Sequence, residues 1–264
     1  MKKYFVSSDI HSFYDIWMEE LIKRGFDINN NNHYIIVCGD LADRGDQTKE
    51  CFDFMRSLGD RAIYVKGNHE DLLRDCYNDI LKGGPINSIH FHNKTIKTIC
   101  QLCGENEWII YDPSKRKIIL DKIEEVLDFI DSKCVNYFEL GDYIFVHGWI
   151  PSFLYAGDFR DAYESDWERA RWVNGMDMWR NEDNRINGKT IVCGHWHCSW
   201  GHSHIDMKLK EFPQPSHRDF NLSFKPWAKP GIIAIDACTA WSKQVNVIVF
   251  EENDDNVVKL LDNL

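Results

Sequence analysis

A chain of 264 residues with 44% hydrophobic and 13% aromatic content has ample apolar material for a packed core, which excludes a disordered or fibrous protein. Its formal net charge of −11 disfavours binding of long nucleic acid, because proteins that hold duplexes by their phosphates present a basic face.

The predicted elements follow a regular order. Residues 3–6 (KYFV) read as a β-strand that ends at a polar turn. Ser12 with Asp15 fits a capping box before a helix whose Phe13, Ile16, Trp17 and Leu21 share one face and which stops at Gly25. YIIVC at 34–38 is a continuous apolar run suited to a buried parallel strand. A helix capped by Asp46 then runs through Phe52, Phe54, Met55 and Leu58 to Gly59. AIYV at 62–65 is the next strand, and a helix is predicted from Glu70 to Leu81. This alternation argues for a parallel sheet covered by helices. The stretch 82–142 is more helical, with Ile119, Ile123, Val126, Leu127 and Ile130 on one face. Strands return at 143–146, 190–193, 231–235 and 245–250. Two irregular segments, 151–188 and 198–230, are rich in Trp, Arg, His and Pro, and such long segments in a compact domain are usually functional loops. Neither a repeat nor a linker interrupts the pattern, so residues 1–264 are expected to form a single domain.

Chemistry-bearing residues follow the strands. Asp9 and His11 come after the first, and Asp40, Asp43 and Arg44 after the second. Asn68, His69 and Glu70 follow the third. His147 follows YIFV, and His195 and His197 follow TIVC. Each alone has a plain reading as a turn or core residue. Five strands delivering Asp, Asn or His just past their carboxyl ends point instead to one site, since ligands bind at that edge of an open α/β sheet. The set mixes carboxylate, imidazole and carboxamide without cysteine, which suits manganese, iron or zinc in a reactive site better than a thiolate-rich structural zinc. Two divalent ions close together need a shared anion, and Asp40 is the natural bridge.

The series D-x-H, GDxxDRG, GNHE, strand-end His-Gly and GHxH, from Asp9 to His197, resembles the calcineurin-like metallophosphoesterases. The intact DRG and GNHE resemble the phosphoprotein phosphatase branch, which includes lambda-type serine/threonine phosphatases and symmetrical diadenosine tetraphosphate hydrolases. The segment GIIAIDACTAWSKQVNVIVFE resembles the closing strands of that family. The resemblance implies an α/β fold of four layers, α-β-β-α, with two mixed sheets flanked by helices. It implies two divalent metal ions, expected to be Mn2+ with Fe or Zn as alternatives. Asp9, His11 and Asp40 would hold the first, Asp40, Asn68, His147 and His195 the second, and His197 fits an extra ligand of the first. A water bridging such ions loses a proton near pH 7 and attacks phosphorus in line. Arg44 would neutralise the phosphoryl oxygens together with Asn68 and His69, His69 would protonate the leaving oxygen, and Asp43 would orient His69. Glu70 is expected to support its loop. A second phosphate-binding arginine is expected from Arg169 or Arg171, with Arg171 favoured.

The leading expectation is thus a phosphomonoesterase of the serine/threonine-phosphatase kind, acting on a phosphorylated protein or a small phosphoester. The alternative is a dinucleoside polyphosphate hydrolase. A phosphodiesterase, a non-catalytic scaffold and a structural zinc protein rank below these. Trp149, Trp196 and Trp200 flank the ligands, where they would stack on an aryl or nucleobase group or simply pack. His202 and His204 are expected on an exposed loop without a metal. The opening MKKYFVSSDIHS lacks the apolar stretch of a signal peptide and no run approaches a membrane span. Nine dispersed cysteines predict reduced thiols in a cytoplasmic protein, with Cys100 and Cys103 as ordinary thiols near a helix end.

Overall fold

The structure, a computed structural model, describes residues 1–208 and 222–264. Eleven described strands form two mixed sheets. The first contains β1 (Lys2–Ser7), β2 (His33–Cys38), β3 (Ala62–Val65), β4 (Cys134–Val135), β10 (Ile248–Glu252) and β11 (Val258–Leu260), in the order β11-β10-β1-β2-β3-β4. The second contains β5 (Phe138–Leu140), β6 (Tyr143–Phe145), β7 (Thr190–Cys193), β8 (Trp227–Lys229) and β9 (Ile232–Ala234), in the order β5-β6-β7-β9-β8. β1 to β4 run parallel, as do β6, β7 and β9. Antiparallel strands close one edge of the first sheet, β10 and β11, and both edges of the second, β5 and β8.

The period-two alternation of the strands divides the apolar residues among three cores. Tyr4, Val6, Ile36, Cys38, Val65 and Phe250 face Phe145, Val192 and Ile233 between the sheets. Their neighbours Phe5, Ile35 and Val37 point the other way, under the helices α1 (Tyr14–Lys23), α2 (Thr48–Leu58), α3 (Asn68–Lys82), α5 (Thr95–Cys103) and α6 (Arg116–Lys133), with the short α4 (Ser88–His92) between α3 and α5. Ile144, Ile191 and Ile232 pack outward against Trp149, Trp167 and Met176, beneath α7 (Glu164–Ala170) and α8 (Gly175–Trp179). The result is the four-layered α-β-β-α arrangement. No helix among the described residues is long and apolar enough to cross a membrane.

Local details depart from the sequence pattern. Ser12 does not cap α1; its hydroxyl bonds Thr48 Oγ1 at 2.7 Å, and Phe13 occupies the cap position without a side-chain acceptor. Asp46 does not cap α2 either: it turns outward to Lys97 at 2.7 Å, and Gln47 precedes the helix. α3 begins at Asn68, two residues before the expected start, because the Glu70 carboxylate already accepts the Gly67 N–H at 2.7 Å. β10 begins at Ile248, three residues later than expected, and the short edge strands β4, β5, β8 and β11 were not separable from their neighbours in the pattern. Ile119, Ile123, Val126, Leu127 and Ile130 are all buried on α6, as their spacing requires. Cys100 and Cys103 lie in the last turn of α5, and all nine cysteines are free.

Candidate active site

The parallel strands of both sheets end along one edge, and each hands its next residues to a single cluster. Asp9, His11, Asp40, Asp43, Arg44 and His195 all have φ between 52° and 73°. This left-handed region costs a non-glycine residue about 1–2 kcal/mol, so the surrounding fold holds these residues against their own preference. Two glycines permit the close approach. A Cβ at Gly194 would overlap Ser8 Oγ and Asp9 Oδ2, and one at Gly67 would overlap the Asp40 carboxylate and backbone.

Asp40 lies at the centre. Its Oδ2 is 3.7 Å from His11 Nε2 and 3.8 Å from His69 Nε2, and its Oδ1 is 3.3 Å from His147 Nε2. Two groups of potential ligand atoms share it: His11, Asp40 and His69 on one side, Asp40, His147 and His195 on the other. Asp9 Oδ1 adjoins the first at 3.9 Å from His11 Nε2, and Asn68 Oδ1 adjoins the second at 2.8 Å from His147 Nε2. The imidazoles are oriented from behind. His11 Nδ1 meets the Ala42 carbonyl at 2.9 Å and His147 Nδ1 the Cys38 carbonyl at 2.8 Å. A carbonyl accepts only, so each Nδ1 carries the proton and each Nε2 is left to face the carboxylates. His195 likewise donates to the backbone of Trp172, and His197 Nδ1 pairs with Ser199 Oγ at 2.7 Å. His11 Nε2 is buried with no hydrogen-bond partner. A buried lone pair without a donor, beside two carboxylates, fits a cation ligand.

The electrostatics agree with that chemistry. Burial, aided by Arg44 and His69, pushes His11 well below the usual histidine range, and burial with His147 lowers His195 to about 3. Both are therefore neutral imidazoles, as metal ligation requires. Burial alone would raise the Asp40 carboxyl, yet the ring of His147, His69 and His11 holds it well below the carboxylate range. His147 shows the reverse balance: burial lowers it, but Asp40 and Asp9 outweigh burial and carry it to about 10. Burial raises Asp9 to about 6.

His69 lies in the first turn of α3. Its Nδ1 is 2.6 Å from Asp43 Oδ2, and its Nε2 faces Arg44 Nη2 at 3.3 Å. Burial opposes its protonation, but Asp40 and Asp43 prevail and its pKa is raised. Asp43 is fixed by two hydroxyls that the sequence reading passed over. Thr95 Oγ1 donates to Oδ2 at 3.0 Å and Thr98 Oγ1 to Oδ1 at 2.6 Å, both from α5. Lys97 and Gln101 of the same helix hold the carbonyls of Arg44 and Gly45. Buried hydroxyls at i and i+3 on an otherwise apolar face were the available signal. Glu70 ties the loops together, accepting from the backbone of Asp40, Leu41 and Gly67 and from the Tyr64 hydroxyl.

Arg171 requires a correction. It is 2% exposed, and its guanidinium is occupied by Asp71 at 2.7 Å, Glu164 at 2.6 Å and Asn136. Two carboxylates have captured it, and it braces α3 against α7 instead of meeting a phosphate. Arg169 is the exposed arginine of this segment, whose Ala170, Arg171 and Val173 carbonyls pass directly over Gly148 beside His147. Trp149 is also a packing residue: it is buried in the outer core and donates to the Asn184 carbonyl at 3.1 Å. Trp172, not singled out beforehand, meets His195 edge-on at 5.9 Å and is half exposed. His202 and His204 lie half-buried in a π-helical turn, Gly201–Asp206, the first beside the Lys225 carbonyl and the second stacked on Trp200. Neither joins a metal-capable group among the described residues. Residues 209–221 of the irregular segment 198–230 lie outside the described residues. Asp236, past the end of β9, is a further buried carboxylate. Burial first, then Asp9, raises it to about 7, and His197 and Arg44 act on it in the opposite sense.

A family model for calcineurin-like phosphoesterases matches residues 2–212. A symmetrical bis(5'-nucleosyl)-tetraphosphatase of Pasteurella multocida (strain Pm70) is 40% identical over 278 residues, which cover 94% of each chain. One from Haemophilus influenzae (strain PittEE) is 39% identical over 85 residues, and that match spans 32% of this chain and 30% of the relative. A solved structure of a cold-active protein-tyrosine phosphatase from a psychrophilic Shewanella covers 99% of this chain and 81% of its own, at 15% identity and a TM-score of 0.51. At that identity the likeness speaks for the fold.

Proposed function

This chain belongs to the calcineurin-like phosphoesterases, metal-dependent hydrolases of phosphate esters, and from that premise we propose a division of labour among its residues. Asp9, His11, Asp40, Asn68, His147, His195 and His197 hold two divalent cations, Arg44 and Arg169 grip the phosphoryl group, and His69 acts as general acid. The observation that carries this reading is the arrangement around Asp40: one carboxylate between two groups of imidazoles, with two of the imidazoles set by backbone carbonyls to present Nε2. His197 is assigned to the first cation by the resemblance of its GHxH motif, and its ring lies outside the two groups that share Asp40. Divalent ions bound there lower the pKa of water toward about 7 and draw charge off phosphoryl oxygens. The ligand set without thiolate favours manganese, with iron or zinc as alternatives.

The chain's own groups supply the remainder. Arg44 is half-buried beside His69, where its planar fork matches two phosphoryl oxygens. His69, whose pKa Asp40 and Asp43 raise against burial, would donate from Nε2 to the departing oxygen while Nδ1 stays bonded to Asp43. Arg169 is placed ahead of Arg171 as the second phosphate ligand because two carboxylates and Asn136 hold the terminal nitrogens of Arg171. Residues 1–264 act as one unit, since both sheets share a core and both contribute to the site. The nine free thiols fit a reducing cytoplasm.

For the substrate, the Pasteurella relative, matched along nearly its whole length, favours a dinucleoside tetraphosphate cleaved between phosphates. A second reading, hydrolysis of phosphoserine, phosphothreonine or small monoesters, is favoured by the His69–Asp43 pair. An alkoxide leaving group needs a proton far more than a phosphate does. Metal-stripped protein with and without Mn2+ would be assayed on diadenosine tetraphosphate, a phosphothreonine peptide, p-nitrophenyl phosphate and bis-p-nitrophenyl phosphate, with Asp40→Asn as control. Manganese-dependent turnover led by the dinucleotide is expected, and Asp40→Asn should lose both turnover and metal. Preference for the monoesters would transfer the protein to the second reading. Full activity in Asp40→Asn would remove the two-metal model.

A further inference from the structure

Two indoles outside the ligand set stand open at the rim of the site. Trp172 is 45% exposed and meets His195 edge-on, with ring centroids 5.9 Å apart. Trp196 is 37% exposed and lies over His197 at 6.4 Å, with 28° between the planes. His195 belongs to the His147 side of Asp40, and His197 follows it by two residues. The two indoles therefore stand beside successive histidines of one loop. Neither is loosely placed. The Trp172 backbone receives the His195 hydrogen bond. Trp196 is braced edge-on by Trp200 at 6.5 Å, and Trp200 is itself stacked on His204 at 5.0 Å with 4° between the planes.

A large apolar ring held rigidly yet left open beside polar catalytic groups is the arrangement that binds a flat aromatic partner at low entropic cost. We propose that Trp172 and Trp196 form an aromatic subsite that takes the flat ring of the substrate, a nucleobase attached through its sugar to the phosphate being cleaved. This rests on the phosphohydrolase reading above and adds which residues select the organic half of the substrate. Stacking on one such ring corresponds to roughly a 5- to 100-fold gain in affinity.

The test compares two ligands that share a sugar 5'-phosphate and differ only in the base: adenosine 5'-monophosphate and ribose 5-phosphate. Their affinities for the Mn2+-loaded protein would be measured by calorimetry and by competitive inhibition of p-nitrophenyl phosphate hydrolysis. The wild type should prefer the nucleotide by at least about 5-fold. Trp172→Ala and Trp196→Ala should each erode that preference and leave ribose 5-phosphate binding unchanged. The phenylalanine variants should retain most of it, which separates stacking from simple packing. Equal binding of the two ligands by the wild type, or a preference that survives the double alanine variant, overturns the subsite and leaves the phosphohydrolase reading standing. Failure of both ligands to bind, together with no hydrolysis of any ester, overturns both.

Discussion

At the scale of single residues, the site is a contest among charges packed more closely than water would allow. His69 shows what such packing achieves. Asp43 anchors one nitrogen, so the other is directed into the site, and Asp40 with Asp43 raises the pKa of the ring. Replacing His69 by Asn should therefore depress turnover of phosphoserine or another poor leaving group by about 100-fold or more, and that of p-nitrophenyl phosphate much less. Equal losses on both, in steady-state kinetics, would argue against general-acid catalysis. His147 gives a second expectation. Its proton is held up to about pH 10 by Asp40 and Asp9, and Asp9 itself protonates near 6. A cation bound at this site must displace those protons, so metal affinity rises with pH. About one proton should be released per pair of ions between pH 6 and 9, or about tenfold per pH unit in the affinity of the His147 side, with a steeper dependence below pH 6. Calorimetry of Mn2+ binding in buffers of different ionisation enthalpy counts these protons directly. A pH-independent affinity would show that His147 is not a ligand.

At the scale of elements, what was legible in the sequence was whatever a strand carried past its end. Asp9, Asp40, Asn68, His147 and His195 were visible because a short apolar run followed closely by Asp, Asn or His is a local signal. The partners of those residues were not, because they come from elsewhere in the chain. Thr95 and Thr98 lie 52 and 55 residues from Asp43, and their i, i+3 spacing does not say which carboxylate they hold. Arg171 was read as a phosphate ligand because one of its two carboxylate partners, Asp71, is 100 residues away. α5, which reads as part of the helical stretch 82–142, is the buttress of the Asp43–Arg44 loop. Thr98→Val should accordingly leave the fold intact and cost about 1–2 kcal/mol through the unpaired Asp43 oxygen and Asp43 N–H. Its loss of turnover should follow that of His69→Asn across leaving groups. Arg171→Met breaks the tie between α3 and α7. Its partners Asp71 and Glu164 are 19% and 51% exposed, so they can regain water. The loss should be roughly 2–3 kcal/mol by urea titration, below the ~3–5 expected for a fully buried pair.

At the scale of the whole molecule, the two sheets divide the chemistry between them. The first delivers Asp9, Asp40, Asn68 and His69, and the second delivers His147 and His195. Side chains such as Val6, Cys38, Phe145 and Val192 between the sheets therefore set the distance between the two halves of the site. Enlarging a cavity there, as in Phe145→Ala, should cost about 3–5 kcal/mol and lower metal affinity as well as stability, although no ligand has been touched. Unchanged metal affinity in the folded fraction would mean that the loops alone fix the geometry.

The place of β1 in the first sheet has a consequence in time. Its neighbour on one side, β2, follows within about thirty residues, but its neighbour on the other is β10, near the far end of the described chain. During synthesis β1 must wait, one edge open, while more than two hundred residues emerge. The last metal-site histidines also lie well past the middle, so no early fragment can assemble the cluster. Chain order thus delays hydrolytic competence until His195 and His197 have emerged, and leaves an unpaired strand edge exposed to other nascent chains until β10 follows.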